Sequence, residues 1–96
     1  MSRYVLRPRA QTDLTAIWTY TAERWGTDQA DRYIRLLHGA MLRVAGDPRL
    51  WRPCDHIREG YFRYSAGSHI LFFTRHHAGI LIVRVLHQSM DAERHL

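Results

Sequence analysis

The sequence predicts an α+β fold in the order β-α-α-β-β-β, with a helical hairpin packed on a small antiparallel sheet. Apolar residues recur at intervals of three and four through residues 8–46, which is typical of amphipathic helices. Residues 57–86 instead contain short apolar runs rich in aromatic and β-branched side chains, which favour strands. A chain of 96 residues can build one two-layer core, so a single domain over residues 1–96 is expected.

The first part of the chain reads as a short strand and a helix. Residues 4–6 form the strand, and Pro8 then suits the first turn of a helix, where its missing N–H costs nothing. The apolar face of this helix contains Leu14, Ile17, Trp18, Thr21 and Trp25. Gly26 is expected to close the helix in a left-handed conformation, and Thr27 to cap the next one. Trp18 and Trp25 are expected in the core.

The second helix has the clearest periodicity. Its apolar positions are Ala30, Tyr33, Ile34, Leu37, Met41 and Val44. Asp47-Pro48 ends it, and the short break at Gly26 predicts an antiparallel helical hairpin. Residues 49–55 read as a loop, in which Trp51 is expected to be exposed and available to a partner.

The strands of the sheet follow. Residues 57–64 mix aromatic residues with arginine, and Gly60 is expected to mark a bulge or a close backbone approach. Residues 65–68 read as a turn, and the apolar runs 70–73 and 80–86 predict a hairpin whose turn takes its positive φ from Gly79. The tail, residues 90–96, is expected to form one helical turn and to serve target binding more than the core.

Composition limits the function classes. The net charge of +5 is carried by 14 arginines and no lysine, which suggests an acidic partner, either nucleic acid or a protein segment. A GC-rich genome is an alternative explanation for the choice of arginine over lysine.

The sequence also bears on location. No apolar run reaches the roughly 18–20 residues of a membrane span, no signal peptide is apparent, and one cysteine fits a reducing compartment, so a cytoplasmic location is expected.

A set of short motifs is distributed along nearly the whole chain. They are Tyr4-Val5-Leu6, Ala10, Asp13-Leu14, Ile17, Tyr20, Trp25-Gly26, Gln29-Ala30, Tyr33, Asp47-Pro48, Ile57-Arg58, Gly60-Tyr61, Arg63-Tyr64, Gly67-Ser68-His69, Val83-Arg84-Val85-Leu86-His87 and Met90-Asp91. Together they resemble the ParE branch of the ParE/RelE toxin superfamily, and the last two motifs are the most specific. The resemblance implies a type II toxin that poisons DNA gyrase and is neutralised by an acidic ParD-like antitoxin. RelE-like relatives on the same fold cleave mRNA in the ribosome.

Residue chemistry favours a binding poison over a nuclease. RNA cleavage by 2′-OH attack needs a base, an acid and cations that stabilise the phosphate. The chain has no lysine, and no tyrosine follows Tyr64. No catalytic residue is therefore expected. Arg63, Arg84 and His87 remain the alternative nuclease set, because a histidine with two arginines can support acid–base work. A degenerate domain that only engages an antitoxin is a further alternative.

Nine residues are candidates for antitoxin or target binding. They are Trp51, Arg58, Tyr61, Arg63, Arg84, His87, Met90, Asp91 and Arg94. The structural alternatives are that Arg63 and Arg84 pair with Glu59 or Asp91 across the sheet, and that His87 fixes the tail. No metal site is expected at His76 and His77, because adjacent residues in a strand point apart. No other metal site, cofactor, membrane contact or sequence-specific DNA binding is expected.

Overall fold

The computed structural model describes residues 3–96, which form two layers. The elements are β1 (Tyr4–Leu6), α1 (Pro8–Trp25), α2 (Thr27–Gly46), a 3₁₀ turn (Pro48–Leu50), β2 (Arg52–Pro53), β3 (Phe62–Ala66), β4 (His69–His76), β5 (Gly79–His87) and α3 (Ala92–His95). The sheet order is β1-β5-β4-β3-β2. The helical hairpin of α1 and α2 covers one face of this sheet, which we call the front face. The predicted α+β class and the helical hairpin are confirmed.

The sheet is mixed, whereas the sequence predicted an antiparallel one. Strands β2 to β5 pair antiparallel, but β1 lies parallel to β5, with Tyr4 opposite Ile80 and Leu6 opposite Ile82. The two helices and three strands lie between β1 and β5 in the chain. No tight turn therefore forces β1 and β5 to run in opposite directions.

Gly79 serves a different purpose from the predicted one. The positive φ in the β4–β5 turn belongs to His77, at 46°. A Cβ atom at Gly79 would overlap the carbonyl oxygen of Arg3, and that same oxygen accepts the N–H of Ile80 at 3.0 Å. Glycine is therefore required here because β1 approaches the backbone of β5 at this point.

Several predicted boundaries shift. Arg52–Pro53 is a short edge strand inside the predicted loop. Strand β3 begins at Phe62 rather than at residue 57 and extends into the first half of the predicted turn, ending at Ala66. Gly60 lies in the turn before β3, while the irregularity in the ladder falls between Phe72 and Phe73. Sequence patterns miss these limits because aromatic and arginine residues occur both in the loop and in the strand.

The junction between the helices also differs in detail. Gly26 has a φ of 92°, and its N–H donates to the carbonyl of Ala22, so it does close α1 with a positive φ. Thr27 is the first residue of α2 rather than its cap, and Gly26 occupies the cap position. The predicted threonine cap is therefore wrong by one position.

The front face holds the main core. Its buried residues are Ala10, Leu14, Leu37, Ala40, Met41, Val44, Ala45, Ala66, Leu71, Phe73, Ile80, Ile82 and Val85. These residues come from both helices and from β3, β4 and β5, as the apolar periodicity predicts. Leu37 and Phe73 are fully buried, so the predicted inner face of α2 is confirmed.

The opposite side of the sheet, the back face, carries a smaller cluster. Cys54, Phe72 and Leu86 are buried there, and the partly buried residues packed on them are Ile57, Tyr61, Ile70, Ala92 and Leu96. Burial raises the pKa of the Cys54 thiol. The tail therefore packs Ala92 and Leu96 against this cluster, a larger part in the core than was expected, while its role in target binding stays a prediction.

The three tryptophans do not follow the expectations. Trp25 is 69% exposed at the end of the helical hairpin, although a core position was predicted. Trp51, predicted to be exposed, is half-buried: its indole N–H donates to the carbonyl of Val44 at 2.7 Å, and its ring packs against Phe62. Trp18 is half-buried and donates to Asp31 across the hairpin at 2.9 Å. The exposed aromatic surface is therefore on the hairpin rather than on the loop.

Candidate functional site

A groove of about 560 Å³ lies between the helical hairpin and the ends of β4 and β5. Its walls and floor, which we call the hairpin groove, are formed by Ala16, Ile17, Tyr20, Thr21, Trp25, Gln29, Tyr33, Ser68, His69, His87 and Ser89. Tyr20 is 59% exposed and Trp25 69% exposed. Large aromatic side chains that remain exposed beside a concavity are typical of a protein-binding site.

Tyr33 forms the floor of the hairpin groove. Its hydroxyl accepts the N–H of Ser68 at 3.0 Å and lies 2.6 Å from Nδ1 of His69. Because its oxygen accepts from Ser68, the phenolic hydrogen is free to be donated to His69. Gly67 has a φ of 58°, and a Cβ there would lie 2.7 Å from the Tyr33 hydroxyl, so glycine allows this close approach.

Two histidines from adjacent strands meet beside Tyr33. His69 lies opposite His87 in the register, and their rings are 5.3 Å apart and nearly perpendicular. Burial and, to a lesser extent, the neighbouring His87 together lower the pKa of His69 to about 4, while Asp13 partly opposes the shift. Nδ1 of His87 lies 2.7 Å from the hydroxyl of Ser89. The groove therefore presents hydrogen-bonding groups and a neutral His69 at neutral pH, which suits binding.

Arg84 is committed to a buried ion pair. Its Nε and Nη2 donate to the two carboxylate oxygens of Asp13 at 2.7 and 2.8 Å, and Nη1 donates to the carbonyl of His95 at 3.0 Å. The N–H of Val85 donates to Asp13 as well, at 2.9 Å. These bonds with Asp13 raise the pKa of Arg84. The predicted partners, Glu59 and Asp91, are therefore wrong for Arg84, which instead joins α1, β5 and the tail.

The alternative nuclease set is divided between the two faces of the sheet. In the register Arg63 lies opposite Phe72, and Phe72 lies opposite Arg84, so the three residues form one row on the back face. His87 follows the buried back-face residue Leu86 and lines the hairpin groove on the front. The sheet thus separates the histidine from Arg63.

The remaining binding candidates lie on the back face and the tail. Arg58 is exposed and stacks its guanidinium over Tyr61, 5.8 Å from the ring centroid. Asp91 caps α3 by accepting the N–H of Glu93, and pairs with Arg94 at 3.6 Å. Arg63 is half-buried, and Met90 is 40% exposed. His87 is the one predicted candidate that lines the hairpin groove.

Sequence reasoning missed Tyr20, Tyr33 and His69 as groove residues. The periodicity placed Tyr33 in the apolar stripe of α2, which is correct, but its hydroxyl also needs a polar partner. That need was the available signal, although it does not identify His69. Asp13 was missed in the same way, since a single arginine in a buried strand requires a carboxylate that the sequence alone does not locate.

Neither a metal site nor a membrane helix is found in the part of the chain that the structure describes. Within residues 3–96, histidines, cysteines and acidic residues form no group of three placed to hold a metal ion. Over the same residues, no helix combines the length and the hydrophobicity needed to cross a bilayer.

Comparison with known proteins assigns the family. Residues 4–92 match the family described as ParE toxin of type II toxin–antitoxin system, parDE. Toxin ParE1 of Mycobacterium tuberculosis is 52% identical over 96 residues, which cover 99% of this chain and 98% of the relative. Toxin ParE1 of Caulobacter vibrioides is 44% identical, covering 100% and 99%, and Toxin ParE of Escherichia coli is 31% identical, covering 95% and 89%.

A solved structure agrees with this assignment at the level of the fold. A chain of the chromosomal ParDE toxin–antitoxin system from P. aeruginosa superposes with a TM-score of 0.77 at 16% identity, covering 91% of this chain and 96% of that one. The sequence matches extend over the helical hairpin and all five strands. The chain therefore belongs to the ParE family of toxins of type II toxin–antitoxin systems.

Proposed function

We propose that this toxin acts in the cytoplasm by binding and inhibiting DNA gyrase, without catalysis of its own, and that an acidic ParD-like antitoxin neutralises it. The observation that carries the choice of a binding poison is the position of the alternative nuclease groups. Arg84 is held by Asp13, and His87 lies on the opposite face of the sheet from Arg63. General acid–base catalysis needs these groups within hydrogen-bonding reach of one substrate.

The chemistry of the other side chains supports the same choice. The chain has no lysine, and its last tyrosine is Tyr64, which is half-buried beside α2. His69 is the most deeply placed histidine of the hairpin groove, and its low pKa keeps it neutral and unable to donate a proton readily at pH 7. A protein with these groups is suited to binding a target.

The hairpin groove is the surface that we assign to the antitoxin. Its exposed Tyr20 and Trp25 would pack against the apolar side of a partner segment, and the net charge of +5 favours a segment that is acidic. The match to the family of ParE toxins of type II toxin–antitoxin systems supports an antitoxin as that partner. An antitoxin segment that orders on binding would fill a groove of this size.

An assay with purified components tests the gyrase proposal. The protein should inhibit gyrase supercoiling and leave ribosome-bound mRNA intact. The variant His87→Gln keeps the hydrogen-bonding capacity but removes acid–base function near pH 7. It should retain gyrase inhibition within a few fold, whereas a nuclease that depends on His87 would lose about 10²–10⁴-fold in rate. Wild-type mRNA cleavage that disappears in His87→Gln would refute the proposal.

Binding kinetics test the antitoxin surface. The rate of association with the antitoxin should fall steeply as the salt concentration rises through the physiological range.

Replacing Trp25 by Ala should weaken binding of the antitoxin more than tenfold, which is the scale of an interface hot spot. Leu42→Ala is the matched control, because Leu42 is 58% exposed on α2 outside the groove. Equal effects of the two substitutions would place the antitoxin elsewhere.

A further inference from the structure

A second concavity lies at the outer edge of the sheet, away from the hairpin groove. It has a volume of about 690 Å³, and we call it the arginine pocket; its lining residues are Arg52, Pro53, His56, Arg63, Tyr64 and Ser65. Strand β2 pairs with β3 only at Arg63 and Phe62, so Tyr64 and Ser65 form the uncovered part of this edge. The arginine pocket shares no residue with the hairpin groove.

Two like charges face each other in the arginine pocket. Arg52 lies directly opposite Arg63 in the antiparallel pair of β2 and β3. Side chains in such pairs lie about 5 Å apart at Cβ, and like charges in this position destabilise a sheet. The ion pairs found within residues 3–96 are Asp47–Arg49, Asp13–Arg84 and Asp91–Arg94. Neither Arg52 nor Arg63 therefore has a carboxylate partner among the described residues.

Further donors surround the two arginines. On the front side of this edge, Nε of Arg43 donates to the hydroxyl of Tyr64 at 3.5 Å, which leaves the phenolic hydrogen free to be donated. His56 lines the pocket from the adjoining loop. Asp55, the acidic neighbour of His56 in sequence, accepts the N–H of Gly60 at 2.8 Å within the turn. The pocket is thus rich in donors and positive charge.

We propose that the arginine pocket binds a phosphate group of a nucleic-acid backbone. Its lining donors come from two paired strands and the adjoining loop, with Arg52 and Arg63 side by side on the same face of the sheet. That arrangement suits the tetrahedral oxygens of a phosphate, whereas a carboxylate is satisfied by one planar guanidinium fork. A bound phosphate would also offset the repulsion between Arg52 and Arg63. Contacts of this kind position a protein without reading sequence, and the site is independent of whether gyrase is the target.

Binding measurements with two nucleic acids test the proposal. Fluorescence polarisation would use a labelled single-stranded DNA of about 12 nucleotides, the same sequence in RNA, and a glutamate-rich peptide of equal charge. Arg52→Ala and Arg63→Ala should each weaken binding of nucleic acid about tenfold and reduce the salt dependence of log K by about one unit. Arg9→Ala removes the same charge from an exposed position on α1, on the far side of the molecule from β2, and should have little effect.

Each possible outcome either supports or refutes phosphate binding in the arginine pocket. Stronger binding of DNA or of RNA identifies which backbone the pocket prefers, and either result supports the site. Equal losses in all three variants would indicate a diffuse basic surface and overturn it. The proposal would also fail if neither nucleic acid bound at about 50 mM salt, or if only the acidic peptide depended on Arg52 and Arg63.

Stability measurements show whether the two arginine variants lose nucleic-acid binding only because they unfold. In phosphate-free buffer, Arg52→Ala and Arg63→Ala should unfold at the wild-type denaturant concentration or above it, because each relieves a like-charge contact. Added phosphate should then raise the midpoint of the wild type more than that of either variant, since a ligand stabilises the state that binds it. Early unfolding of both variants, with no response of the wild type to phosphate, would make the arginines purely structural and refute the site.

Discussion

The two faces of the sheet are covered in different ways. The front face is covered by two long amphipathic helices and its cluster holds thirteen buried residues, whereas the back face is covered by a loop and the short tail and its cluster holds three. Most of the hydrophobic stabilisation therefore comes from the front, in proportion to the area buried there. The back face and the tail carry most of the residues that the sequence suggested for binding. Stability and candidate binding surfaces are thus unevenly divided between the faces.

The ion pair of Asp13 and Arg84 connects the two faces. Asp13 belongs to α1 on the front, while Arg84 also donates to the carbonyl of His95 in the tail on the back. Both side chains are nearly buried, at 13% and 10% exposure. Removal of one partner leaves the other as an unpaired charge in a medium of low polarity. A substitution that breaks this ion pair should therefore destabilise the packing on both faces of the sheet.

The largest expected effect follows from this contact. Asp13→Ala should lower the free energy of unfolding by about 3–5 kcal/mol, the usual cost of breaking a buried ion pair by removing one partner. Urea denaturation would measure the loss. Arg94→Ala, which breaks the exposed pair with Asp91, is the control and should change stability far less. Similar losses in the two variants would mean that the faces are not linked through Arg84.

The second prediction concerns the front core alone. Leu37 is fully buried, so Leu37→Ala should cost about 2–5 kcal/mol through lost burial and the cavity that remains. Leu36 is adjacent and chemically identical but 50% exposed, and Leu36→Ala should cost less than about 1 kcal/mol. Comparison of urea midpoints for the two variants measures how unevenly α2 is buried. Equal losses would contradict the assignment of the front face as the main core.

The front face was largely predictable because its physics is local. A helix of 3.6 residues per turn places Leu37, Met41 and Val44 on one stripe, and that stripe is visible in the sequence. The apolar runs of β4 and β5 are likewise short and continuous because both faces of these strands are covered. Periodicity therefore predicts which segments form helices and strands. It does not predict strand direction, since β1 pairs parallel to β5.

The back face and the candidate sites were less predictable because their contacts join residues far apart in the chain. Nothing near Cys54 in the sequence indicates that Leu96 packs against the same cluster. Likewise, Arg84 and Asp13 are 71 residues apart, and no local pattern pairs them. Trp51 was expected in solvent because it lies in a polar loop, but the 3₁₀ turn before it directs its ring against Phe62. Sites of this kind need the tertiary fold before they can be recognised.

The third prediction tests how much the tail stabilises the back face. Removal of residues 92–96 exposes the cluster around Cys54 and takes the His95 carbonyl from Arg84. The expected loss is about 1–3 kcal/mol, from partial burial of one leucine and one charge-assisted hydrogen bond. The far-ultraviolet circular dichroism of the helical hairpin should persist. No change in the urea midpoint would show that the tail only rests on the back face and is free to serve target binding.

The smallest effect is expected at the edge of the front face, in the pH dependence that His69 confers. The pKa of His69 is lowered from 6.5 to about 4 in the folded protein, because the ring is partly buried beside His87. Between these two values, the unfolded chain binds a proton that the folded chain does not. Stability should therefore fall as the pH decreases from about 6.5 towards 4, and His69 should contribute no pH dependence above that window.

A variant that removes this titration isolates it from the carboxylates. His69→Gln keeps a hydrogen-bonding group beside Tyr33 but binds no proton, so its urea midpoint should change less than that of the wild type between pH 7 and pH 5. If His69→Gln and the wild type lose stability in parallel, the imidazole is protonated as easily in the folded chain as in the unfolded one. The floor of the hairpin groove would then be open to water, and the front face would be less well sealed at this end than the contacts of Tyr33 and His69 indicate.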